Sequence, residues 1–74
     1  MFEAQVKITL KKTVADPQGL TVKHALEALG FSGVGGVRMG KFITIQVEDK
    51  SKVKEMCEKL LANPIIEDYS IEVV

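Results

Sequence analysis

The chain has one cysteine, Cys57, one histidine, His24, one tyrosine and no tryptophan among its 74 residues. A lone cysteine excludes an internal disulfide. With a single histidine beside it, no structural His/Cys zinc cluster can be assembled within one chain. Net charge is absent as well: ten Lys and Arg stand against ten Asp and Glu. Neutrality gives no broad attraction to nucleic acid or to an anionic membrane surface. No apolar stretch approaches the ~20 residues needed to span a bilayer. The opening Met1-Phe2-Glu3-Ala4-Gln5 lacks the basic region and apolar run of a secretory signal. Together with the free thiol, this leads to the expectation of a cytoplasmic protein.

Small size sharpens these exclusions. So short a chain forms one domain, residues 1–74. It buries only roughly 60% of the surface its unfolded form exposes, so its core is marginal. Without disulfide or metal, the remaining source of burial is contact with other chains.

What is present is patterning. Phe2, Ala4, Val6, Ile8 and Leu10 alternate with Glu3, Gln5, Lys7, Thr9 and Lys11, which predicts a strand with one buried face. Asp16-Pro17 then supplies a helix cap and first-turn proline. Val22, Ala25, Leu26 and Leu29 make one apolar helical stripe, and Gly30 ends it. After Ser32 to Gly36, the residues Val37, Met39, Ile43, Ile45 and Val47 share one parity. Either Gly40 bends one long strand, or Met39-Gly40-Lys41 turns the chain between two short ones; the surviving parity favours the long strand. Asp49 or Ser51 caps a second helix with the stripe Val53, Met56, Cys57, Leu60 and Leu61, and Asn63-Pro64 closes it. Tyr69, Ile71 and Val73 define a last strand. The predicted fold class is α+β: a two-layer β-α-β-α-β sandwich with a long bent central strand and helices over one sheet face. Its sheet edges invite pairing with a second chain, so a sheet extended by dimerisation is expected.

Reactive chemistry is scarce. His24 titrates near neutrality but lies on the helix side opposite the apolar stripe. Cys57 lies within the second stripe and behaves there as a small hydrophobe. Gly33 to Gly36 precedes a strand, whereas a phosphate loop needs a helix N-terminus. Glu67-Asp68 has no further ligands in reach and reads as turn chemistry. Lys11-Lys12, Arg38 and Lys41 are the basic features with functional potential, either contacting a partner's carboxylates or standing as solvated strand-end charges.

Several stretches resemble the PurS family of phosphoribosylformylglycinamidine synthase. They are Thr9-Leu10-Lys11-Lys12, Asp16-Pro17-Gln18-Gly19, His24-Ala25-Leu26, Val37-Arg38-Met39-Gly40-Lys41 and the run from Met56 through Asn63-Pro64 to Tyr69. Thr13 and Ala15 depart from the glycine and the larger apolar residue expected there. The resemblance implies a PurS-like fold, reminiscent of ferredoxin-like domains. It also implies a small non-catalytic subunit in purine biosynthesis, where formylglycinamide ribonucleotide is converted to the formylglycinamidine with ATP and glutamine. PurL, the synthetase, would hold ATP and Mg; PurQ, the glutaminase, would release ammonia; this subunit would bridge the two and pair with itself. No cofactor, metal or catalytic residue is expected in this chain. Lys12, Arg38 and Lys41 are the residues assigned to docking.

Two rival classes remain at this stage. An ACT-like regulatory module would bind a small molecule at a dimer interface near Gly33 to Gly36. An RNA-binding sheet would need stacked aromatics beside basic residues, and no strand here is rich in them.

Overall fold

The alternation of the first segment builds the middle of the molecule. In the computed structural model, which describes residues 1–74, β1 (Phe2–Leu10) is the central strand. It pairs antiparallel with β2 (Gly40–Val47) on one side and β3 (Glu67–Val73) on the other, giving the order β2-β1-β3. The register aligns the inward residues in rows: Ile45, Ala4 and Val73; Ile43, Val6 and Ile71; Lys41, Ile8 and Tyr69. Ala4, Val6 and Ile8 are fully buried. The opposite face carries Gln5, Lys7, Thr9, Thr44 and Ser70, with Phe42 the large apolar residue among them.

One helical run covers the inward face. It starts as a 3-10 turn (Lys50–Lys52), continues as an α-helical turn (Val53–Met56) and ends as a π-helical turn (Cys57–Leu61); the whole run is called α2 below. Asp49 caps it, accepting from the Ser51 N–H at 3.0 Å. Val53, Cys57 and Ala62 complete the core begun by β1. The π turn closes with the Ala62 N–H donating to the Cys57 carbonyl at 2.9 Å. This wider turn holds Leu61 against the core and leaves Leu60 outside, 83% exposed, although a regular helical stripe would have buried both.

The first helix is built as its residues dictate. α1 (Pro17–Ala28) has Pro17 at its first turn, and the Asp16 side chain accepts from the Gly19 N–H at 2.8 Å. At its other end the Gly30 N–H reaches Glu27 O and the Phe31 N–H reaches Leu26 O, the paired bonds of a Schellman cap with Gly30 at positive φ. Its position differs from the expected layer. Gly19 is its one buried residue, while Leu20, Val22 and Leu29 are exposed and α1 scarcely touches the sheet or α2. The second layer within the chain is therefore α2 alone. The molecule is drawn out to 47 × 24 × 14 Å with a radius of gyration of 15.5 Å. A compact domain of this length has about 11 Å.

The strand after the glycine-rich connection is also shorter than its parity implies. The ladder begins at Gly40, opposite Thr9, and there is no hairpin at that glycine. Val37 to Met39 keep the alternation but have no ladder partner: the register sets Val37 and Arg38 beyond the end of β1 at Leu10, and Met39 leaves the ladder. The Met39 N–H instead donates to the Asp16 carboxylate at 2.7 Å.

Candidate partner-docking surface

The basic residues gather where the end of β1, the start of α1 and the start of β2 meet. Asp16 organises this junction. One carboxylate oxygen takes the Gly19 N–H, the other takes the Met39 N–H, and the Arg38 Nε lies 4.0 Å away. The Asp16 side chain is only 4% exposed. These donors, led by Met39 and Gly19 and helped by the Arg38 charge, hold its carboxyl below the usual carboxylate range. Gly19 is required by close approach: a Cβ there would lie 2.1 Å from the Val37 carbonyl oxygen. A helix N-terminus and a strand entry are thus pinned together at one point.

Arg38 is turned inward more than a surface cation. Its Nη2 donates to the carbonyls of Lys11 at 2.8 Å, Val14 at 3.1 Å and Leu10 at 3.3 Å. The side chain remains 43% exposed. The loop it holds is a turn, with the Val14 N–H donating to Lys11 O at 2.9 Å. Lys12 and Thr13 occupy the corners of that turn and are exposed. Lys12 forms no salt bridge or side-chain hydrogen bond within the chain.

Lys41 lies at the same end of the sheet, its Nζ 3.8 Å from Glu67 Oε2. Glu67 also accepts from the Asn63 N–H at 2.7 Å, and Lys11 pairs with Asp68 at 2.9 Å. The acidic pair Glu67-Asp68 therefore ties β3 to its neighbours. Of the residues assigned to docking, Arg38 reaches from the connection before β2 to the turn that carries Lys12, and Lys41 stands at the same end of the sheet on β2. The carbonyl contacts of Arg38 had no signal in the sequence, where it reads only as a positive charge near a glycine.

Elsewhere the geometry gives no nucleophile a base. Cys57 is buried, and that burial, with the nearby Glu58 charge, pushes its thiol up, away from the reactive thiolate. Glu58 instead accepts from the Tyr69 hydroxyl, and this bond holds the Tyr69 pKa up to about 12. His24 is exposed on α1 and forms no ion pair with an acidic side chain. No group of three or more His, Cys, Asp and Glu side chains is placed to hold a metal ion. No helix is long and apolar enough to cross a membrane.

Two apolar surfaces stand open. One is the α1 stripe. The other is a groove of about 510 Å3 between α2 and β2, lined by Ile45, Met56, Leu60 and Leu61 together with the charged Lys52, Glu55 and Lys59.

Comparison with known proteins gives one consistent family. The family described as PurS, phosphoribosylformylglycinamidine (FGAM) synthase, matches residues 3–74. The PurS subunit of phosphoribosylformylglycinamidine synthase from Bacillus subtilis is 46% identical over 78 residues, spanning 99% of this chain and 93% of the relative. The corresponding subunit from Methanocaldococcus jannaschii is 48% identical over 79 residues, spanning 99% of this chain and 95% of the relative. The crystal structure of B. subtilis PurS superposes with a TM-score of 0.92 at 46% identity, covering 100% of this chain and 99% of that one. A chain of the PurLQS structure from Thermotoga maritima superposes with a TM-score of 0.81 at 34% identity, covering 99% of this chain and 96% of that one.

Proposed function

This chain belongs to the PurS family of phosphoribosylformylglycinamidine synthase, and from that premise we propose that it is the small, non-catalytic subunit of such an enzyme, acting by contact. It bridges a PurL synthetase, which holds ATP and Mg and converts formylglycinamide ribonucleotide, and a PurQ glutaminase, which supplies ammonia. The setting is the cytoplasm. The single observation that carries this reading is the openness of the chain. It exposes 5520 Å2, where a compact protein of its mass exposes about 4,500 Å2. The excess of about 1,000 Å2 is comparable to the about 800 Å2 that each partner buries in an ordinary stable interface.

The two open apolar surfaces suit each other. A second copy's α1 laid into the groove between α2 and β2 would cover Val22, Leu26 and Leu29 and restore the missing half of the helical layer. The reciprocal contact follows from two-fold symmetry, giving a homodimer. This leaves the junction bearing Lys12, Arg38 and Lys41 free to meet acidic groups on the synthetase. Keeping ammonia between joined subunits also prevents its loss and protonation in bulk water.

The test is reconstitution. Synthetase, glutaminase and this chain, mixed and resolved by size, are expected to co-elute and to turn over with glutamine only when all are present. Charge reversal at Lys12, Arg38 and Lys41 is expected to abolish co-elution while the homodimer persists. Intact co-elution and glutamine-dependent turnover in that triple variant would overturn the docking assignment.

A further inference from the structure

Leu10, Lys11 and Val14 aim their carbonyls at one nitrogen, Nη2 of Arg38, across 2.8 to 3.3 Å. An amino nitrogen of the guanidinium carries two hydrogens, so they are shared among the three acceptors. Lys11 O accepts in addition from the Val14 N–H. Convergent carbonyl oxygens repel one another unless a cation lies between them. The turn has neither glycine nor proline to set its shape, its sequence being Lys11-Lys12-Thr13-Val14-Ala15. The Lys11 N–H anchors its start on Ile66 O at 2.8 Å, and beyond that point one internal backbone bond and the Arg38 contacts hold it. On the far side, Asp16 holds Met39, the residue next to Arg38, and so fixes where the guanidinium starts.

We propose that Arg38 is a positioning residue for docking: it fixes the Leu10–Val14 turn from beneath, and the exposed Lys12 at the turn corner makes the contact with an acidic partner surface. This rests on the subunit reading above and refines it, because the contribution of Arg38 to assembly passes through Lys12 rather than standing beside it.

The experiment joins hydrogen exchange in the isolated chain to a double-mutant cycle in the complex. Arg38→Ala is expected to speed exchange of the Val14 amide while the β1–β2 amides keep wild-type protection. Against the synthetase, Lys12→Ala is expected to weaken binding by about fivefold, the upper range for one exposed ion pair. Arg38→Ala is expected to weaken it similarly, and the double variant no further than the worse single one. An unchanged Val14 exchange rate overturns the proposal, as does a double variant whose loss equals the product of the two single losses. Should Arg38→Ala not fold, Arg38→Met, which keeps the stem but no donor, carries the same cycle, with Val14 exchange faster than wild type expected and wild-type exchange contradicting the proposal. A wild-type chain that binds neither enzyme overturns the subunit reading and with it the docking half of this proposal, whereas the Val14 exchange rate judges the clasp alone.

Discussion

The two helices of this chain carry similar apolar stripes and meet opposite fates. α2 places Val53 and Cys57 against Ala4, Val6 and Ile8 and closes the core. α1 buries only Gly19, and Leu29 near its end is 74% exposed. Amphipathicity alone states that a face is to be covered, not by which chain. The covered helix stabilises the monomer; within the chain the bare helix rests on its capped, pinned N-terminus and its Schellman C-cap. Short isolated helices are marginal in water, so α1 is the element most dependent on a partner.

Substitutions separate the two halves, and the largest effect belongs to the covered one. Ile8→Ala removes a fully buried side chain from the middle of the sheet. It is expected to cost about 2–5 kcal/mol, enough to unfold so small a domain, and urea denaturation followed by circular dichroism measures it. Gly19→Val acts at the junction instead. Its side chain would collide with the Val37 backbone, and overpacking of this kind costs about 1–3 kcal/mol. Exchange of the α1 and Met39 amides is expected to quicken while the β1 ladder holds. Leu29→Ser, on the bare stripe, is expected to shift monomer stability by less than about 0.5 kcal/mol. Its effect appears in sedimentation, as dimer dissociation at a higher concentration than wild type; an unchanged dissociation would place the interface elsewhere.

The pH responses differ too, and are smaller. Tyr69 has its folded pKa raised from 10.0 to about 12 by the Glu58 bond. A raised pKa means that the stabilisation is complete below pH 10 and is lost as pH rises through about 12. Melting temperature measured across that window should fall less steeply in Tyr69→Phe. Asp16 behaves in the opposite sense. Its folded pKa lies below 3.8, so its stabilisation is present above that value and is lost as acid protonates the folded carboxylate. Acid is expected to loosen the α1 amides through Asp16 and the first α2 amides through Asp49, whose Ser51 bonds also hold its carboxyl below the usual range, while the β1 ladder keeps its protection.

Much of this architecture was legible locally. The Asp16 and Asp49 caps, the Gly30 stop and the parity of Ala4, Val6 and Ile8 each depend on neighbours a few residues away. Three features were not. Val37 and Arg38 continue a strand pattern, but the neighbouring strand ends before them, and parity does not report a missing partner. Leu60 fits a regular stripe, and only the π turn at Cys57 sends it outward. Arg38 finds its acceptors in a turn distant along the chain, and backbone carbonyls leave no mark in a sequence. Family resemblance supplied the assembly role, which no motif in the sequence states by itself.

Hydrogen exchange of the α1 amides as a function of protein concentration tests the central claim most directly. Protection of Val22 to Leu29 that rises with concentration, while β1 protection stays constant, is the predicted result. Equal protection of α1 in dilute monomer and in concentrated protein would show that the helix needs no second chain.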